Sequence, residues 1–97
     1  MKKNIGNENL ANDIMVQKRR AILGVLVEAT LKYYKDKGFP QPVIQALQVV
    51  QGIRFPKDPN EELCNLVNVL ESEQLSDIIV QNAIQMAKNI VKNKTSF

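Results

Sequence analysis

Between Ala21 and Tyr34 the chain reads Ala-Ile-Leu-Gly-Val-Leu-Val-Glu-Ala-Thr-Leu-Lys-Tyr-Tyr, with Glu28 and Lys32 as its only charges. At about 100° per residue, Ile22, Val25, Leu26, Ala29 and Tyr33 fall on one helical face. Leu23, Val27, Leu31 and Tyr34 cover the adjoining face. Gln17, Gly24, Glu28, Lys32 and Lys35 form the narrow stripe left for water. A helix that is apolar around most of its circumference needs neighbours on most sides. The pattern therefore predicts an all-α fold, a compact bundle of about four helices around a central, mostly apolar first helix.

Residues 1–7 are polar and without periodicity, so they read as a flexible tail, with residues 8–94 as a single helical domain and 95–97 as a frayed end. The first helix is expected to start between Glu8 and Asp13, where Asn9 and Asn12 both suit an N-cap. Its end is better marked. Gly38 suits a left-handed C′ position, Phe39 can fold back onto Tyr34, and Pro40 forbids continuation.

A second helix follows Gln41-Pro42, with Pro42 suited to the first helical position. Val43, Ile44, Ala46, Leu47, Val49 and Val50 leave only Gln41, Gln45 and Gln48 as a polar stripe, and no charge occurs from Phe39 to Ile53. Such a helix is buried in the core or against another chain. Gly52 ends it, and Ile53-Arg54-Phe55-Pro56 forms a connector with two apolar anchors.

Asp58-Pro59-Asn60-Glu61 predicts the start of a third helix, with an N-cap acid, a proline at N1 and a capping-box acid at N3. Leu63, Leu66, Val67 and Leu70 form its buried stripe, with Cys64 beside it. A break is expected at Ser72-Glu73-Gln74, and a fourth helix then runs to about Lys92. Leu75, Ile79, Ala83, Met86 and Ile90 make one apolar row and Val80, Ile84, Ala87 and Val91 the next, while Asp77, Gln81, Gln85, Lys88 and Lys92 face water. Nothing favours strands: no sustained period-2 alternation and no hairpin dipeptide occurs.

A chain of 97 residues can close one core without staples, and with no Trp that core must be aliphatic. The single cysteine, Cys64, excludes an internal disulfide and fits a reducing compartment. Met-Lys-Lys is followed by Asn4, Asn7, Glu8 and Asn9 where a signal peptide needs an apolar run. Glu28 cuts the Ala21–Val27 run short of the roughly 20 residues a span requires. The expectation is a soluble, cytoplasmic protein with no membrane partner.

Charge is segregated. Residues 1–57 hold ten Lys or Arg against four acids (+6), residues 58–77 hold six acids and no base (−6), and residues 78–97 hold three Lys (+3). The simpler account packs the acidic third helix beside basic parts of the same fold, in surface pairs worth about 0–1 kcal/mol each. The functional account is a polar partner surface, or head-to-tail self-association between unlike patches.

Residues suited to catalysis are scarce. Without histidine the commonest neutral-pH base and metal ligand is missing, and Ser72, Ser76 and Ser96 have no partner to activate them. Cys64, in an apolar stripe with acids nearby, reads as a buried structural thiol. Glu61 and Glu62 are accounted for by capping, and the isolated glycines cannot form a phosphate loop. Gly24 costs its helix about 1 kcal/mol relative to alanine. Either it is a tolerated surface glycine or another helix, from this chain or a second subunit, approaches closely there. No catalytic residue, metal ligand, cofactor or small-molecule substrate is expected.

Lys18, Arg19, Arg20, Lys32, Lys35, Lys37, Arg54 and Lys57 are the candidate basic contacts to a partner protein or to phosphates, and Glu61, Glu62, Glu71 and Glu73 the candidate acidic surface. Lys18-Arg19-Arg20-Ala21-Ile22-Leu23 leading to Lys35-Asp36-Lys37-Gly38-Phe39 resembles the first helix of tetracycline-repressor-type regulators, which ends in Lys-Gly-Phe before a helix-turn-helix. Here the helix is about one turn longer, and Gly52 and Phe55-Pro56 leave no room for a recognition helix before Asp58, so no DNA-contacting residue is carried over. Small bacteriocin-immunity proteins share the size, basic balance and helical content, without a common motif. The reading is a non-enzymatic protein acting by protein–protein interaction, as a regulator, inhibitor or immunity-type factor, with self-association expected from its excess of apolar helix surface. The alternative is a dimeric nucleic-acid-binding regulator using the basic residues of the first helix and the 54–57 connector.

Overall fold

The computed structural model describes the backbone of residues 2–53 and 57–91 and the side chains of residues 14–53 and 57–91. Arg54, Phe55 and Pro56 of the connector and the C-terminal residues 92–97 lie outside the described residues. Four helices make up an all-α bundle: α1 (Lys2–Tyr34), α2 (Gln41–Gln51), α3 (Asn60–Ser72) and α4 (Ile78–Ile90), with no strand among the described residues.

α1 opens at Lys2, upstream of the Glu8–Asp13 window. Polarity alone does not stop a helix, and residues 2–13 contain no proline. At 33 residues α1 is about 50 Å long, which nearly accounts for the 55 Å long axis of the molecule. Its end follows the expected stop signal. Gly38 takes φ +82°, its N–H donates to the Tyr34 carbonyl at 3.1 Å, and the Phe39 ring returns to within 5.4 Å of the Tyr34 ring.

α1 packs chiefly against α4, with α3 as its second neighbour, while α2 lies on α3. The α1–α4 pairing is antiparallel: Arg19 reaches the last carbonyl of α4 at Ile90, and Ala29 and Tyr33 line a cleft with Asp77 and Ile79 at its start. Arg19, Leu23, Leu26, Ala29, Thr30 and Tyr34 form the buried face of α1. Leu26 is fully buried, whereas Val25 and Leu31 are 46% and 47% exposed. The apolar sequence suggested burial on both of those flanks. Because α2 pairs chiefly with α3, α1 has neighbours on one side only among the described residues. Thr30 is tolerated in the core because its hydroxyl donates to the Leu26 carbonyl at 2.7 Å.

Pro40 flanks α2, so Gln41 rather than Pro42 is the first helical residue. Val43, Ala46 and Leu47 are buried against the core, but Val49 on the opposite side is 52% exposed. On α3, Leu63, Leu66, Val67 and Leu70 are all fully buried, and Cys64 is half-buried beside them instead of enclosed. The predicted cap at Asp58 is replaced by another arrangement. Pro59 is the flanking residue, without a side-chain cap bond, and Asp58 Oδ2 is taken by Arg19.

The break before α4 is real and lies at Gln74, which adopts a left-handed φ of 55°. Asp77, expected to face water, caps α4 instead: Oδ1 accepts from the N–H groups of Ile79 (2.8 Å) and Val80 (3.1 Å). Val80, Ala83, Ile84, Ala87 and Val91 form the buried row of this region. Ile79 and Met86 of the other predicted row point outward, because two neighbours cover only one stripe of a 13-residue helix.

Candidate protein-contact surfaces

Among the described residues the basic candidates do not gather into one patch. Arg19 is 5% exposed, and its guanidinium is spent on the fold: Nε donates to the Ile90 carbonyl at 3.0 Å and Nη1 to Asp58 Oδ2 at 3.0 Å. One side chain thus ties α1 to the start of α3 and to the C-terminal end of α4, where a cation also suits the helix dipole. It is not available as an outward phosphate contact. Arg20 is half-buried and donates from Nη2 to the Lys57 carbonyl.

Lys57 Nζ sits 2.9 Å from Oε2 of Glu62, whose side chain is 10% exposed. That hydrogen bond, with the Glu62 charge behind it, holds the Lys57 ammonium protonated above its ordinary range. Glu71 pairs with Lys88 of α4. Arg19–Asp58, Lys57–Glu62 and Lys88–Glu71 therefore join the acidic segment to the basic ones inside one chain, as the simpler account of the charge map expects. Glu61 is exposed and Glu73 half-buried. With burial of the phenol as the larger cause, the Glu73 carboxylate raises the pKa of Tyr34.

Lys18 and Lys32 project from the solvent side of α1, about 21 Å apart along its axis, and Lys35 is exposed in the turn just beyond its end. Lys37 folds back, with Nζ 3.2 Å from the Tyr33 carbonyl and 4.4 Å from the Tyr33 ring centroid. Arg54 belongs to the residues not described.

What the residue types alone did not locate is the exposed apolar surface. Ile78 and Ile79 are 65% and 64% exposed at the start of α4, with Met86 two turns along. Ile79 also borders a cleft of about 160 Å³ shared with Tyr33, Lys32 and Lys37. On α1, Ile14 and Val25 are exposed on one flank and Leu31 on the other. Two consecutive isoleucines cannot both face the core of a helix flanked on one side. That signal was present in the sequence, but it needed the helix phase to be read.

A cleft of about 370 Å³ between the end of α3 and α4 is bordered by Leu70, Leu75 and Ile84 and by the mutually paired Glu71 and Lys88. Among the described residues no three of His, Cys, Asp or Glu are grouped to hold a metal ion, and no helix is long and apolar enough to cross a membrane. Compared with known proteins, the chain matches no family model, no curated protein and no solved structure.

Proposed function

We propose that this chain is a small non-enzymatic helical protein that acts by binding another protein, as a regulator, inhibitor or immunity-type factor. The observation that carries the reading is the Ile78–Ile79–Met86 surface of α4, which leaves three large apolar side chains in water. Covering an isoleucine fully is worth about 1.5–3 kcal/mol, so a partner that buries this patch gains substantial affinity from few residues. The nearby Lys32 and Lys37 suit a partner whose apolar contact is edged with acids.

Use of Arg19 and Arg20 inside the fold supports protein binding over the alternative of a nucleic-acid regulator. That alternative retains Lys18, Lys32 and Lys35, which are spread along α1 and the turn that follows it.

Affinity capture with the intact chain, repeated with an Ile78→Glu/Ile79→Glu variant, tests the reading. The expected result is one stoichiometric protein recovered by the natural chain and lost by the variant. Recovery unaffected by the double substitution removes the α4 surface from consideration. A duplex-DNA mobility shift that weakens steeply with salt would favour the nucleic-acid alternative.

A further inference from the structure

On the side of α1 away from α4, Ile14, Gln17, Ala21, Gly24, Glu28 and Leu31 recur at alternating intervals of three and four, and all six are exposed. This is the spacing of a helix–helix seam, sustained over about 26 Å. Among the described residues nothing covers it. A Cβ built on Gly24 meets no atom within 4 Å, so the glycine is not there to admit a neighbour from its own fold.

We infer that this seam is the contact with a second copy of the same chain, with the two α1 helices antiparallel about a two-fold axis between Ile22 and Leu23. The seam is self-complementary in that register. Ala21 lies opposite Gly24 of the partner subunit, Gln17 opposite the partner's Glu28, and Ile14 opposite the partner's Leu31, each pairing occurring twice. Small residues face small residues at the centre, where they let the helix axes approach to about 8 Å. Apolar residues close both ends, and the polar layer lies between.

Charge selects the direction. Glu28 is the only acid among the exposed seam residues, and Lys18 follows Gln17. The antiparallel register brings each Glu28 to the Gln17–Lys18 pair of the other copy. A parallel, in-register pairing would instead set the two Glu28 carboxylates against each other. An unrelated partner would have to supply the same alternation of small, polar and apolar layers. A second copy supplies it by symmetry.

The test uses the 97-residue chain alone, so its outcome is separate from capture of another protein through α4. Sedimentation over low to high micromolar concentration is expected to show a dimer for the natural chain and for the Ile78→Glu/Ile79→Glu variant. Gly24→Lys should move the monomer–dimer midpoint upward by at least about tenfold while leaving the far-ultraviolet circular dichroism of the monomer unchanged. In a Cys64→Ser background, Ala21→Cys chains mixed with Gly24→Cys chains should form a disulfide-linked dimer under mild oxidation, and neither variant should do so comparably by itself. A natural chain that stays monomeric throughout overturns the inference, as does cross-linking of like variants without the mixed product.

Discussion

Arg19 and Asp58, 39 residues apart in sequence, meet through Nη1 and Oδ2 at 3.0 Å, with their side chains 6% and 24% exposed. The same guanidinium closes the C-terminal end of α4 through the Ile90 carbonyl. A residue whose sequence context suggests a surface triplet therefore joins three elements of the fold.

Removing that residue should be costly. Arg19→Ala removes the Arg19–Asp58 ion pair and the hydrogen bond to the Ile90 carbonyl. Breaking a buried ion pair costs about 3–5 kcal/mol, and the partial exposure of Asp58 places the expected loss nearer 2–3 kcal/mol. Lys18→Ala, one residue earlier and exposed, should change stability by less than about 0.5 kcal/mol. Urea denaturation of the two variants checks both values. Equal effects would contradict the assignment of Arg19 to the interior.

The two sides of α1 should separate cleanly in the same assay. Leu26 is fully buried, so Leu26→Ala is expected to lose about 2–5 kcal/mol. Val25, 46% exposed, should lose less than about 1 kcal/mol on replacement by alanine, measured at a concentration where the chain is monomeric.

Tyr34 is 4% exposed, and its hydroxyl has no hydrogen-bond partner among the described residues. Tyr34→Phe keeps the ring contacts with Tyr33 and Phe39 and removes that unsatisfied group, so it should be neutral or stabilising by up to about 1 kcal/mol. Burial, then the nearby Glu73 and Tyr33, raise the phenol above its ordinary pKa of 10.0. The folded state thus holds this proton more tightly than the unfolded chain does. Its contribution is complete below pH 10.0 and is lost as pH rises through the folded value. Denaturant midpoints between neutral pH and the alkaline limb should fall less steeply in Tyr34→Phe than in the natural chain. Lys57, whose folded pKa also lies above its ordinary 10.5, leaves a residual alkaline slope in both.

Gln74 holds a left-handed backbone without being glycine. Gln74→Gly should relieve that conformation and raise stability by up to about 1 kcal/mol, whereas Gln74→Val should lower it. Thermal unfolding of the three chains gives the ranking, and destabilisation by glycine would show that the turn is held by the glutamine side chain.

Local chemistry made much of the fold legible. The Gly38-Phe39-Pro40 stop, the Gly52 end of α2, the α3 stripe of Leu63, Leu66, Val67 and Leu70, and the break after Ser72 each follow from backbone preference or from a single helical period. Helix phase was harder to read where apolar residues exceed what a core can take. Ile79 and Met86 read as interior, yet they are exposed, because burial depends on how many neighbours a helix has.

The amino-acid sequence by itself determined that this protein is helical, where its helices turn and that its core is aliphatic, since those properties are set by residues close together along the chain. Only the tertiary structure decided which apolar faces are covered, which of three adjacent basic residues is consumed by Asp58 and the end of α4, and which strips of α1 and α4 remain for partners. Those outcomes depend on groups tens of residues apart meeting in space, and no periodicity within one helix encodes the position of the next.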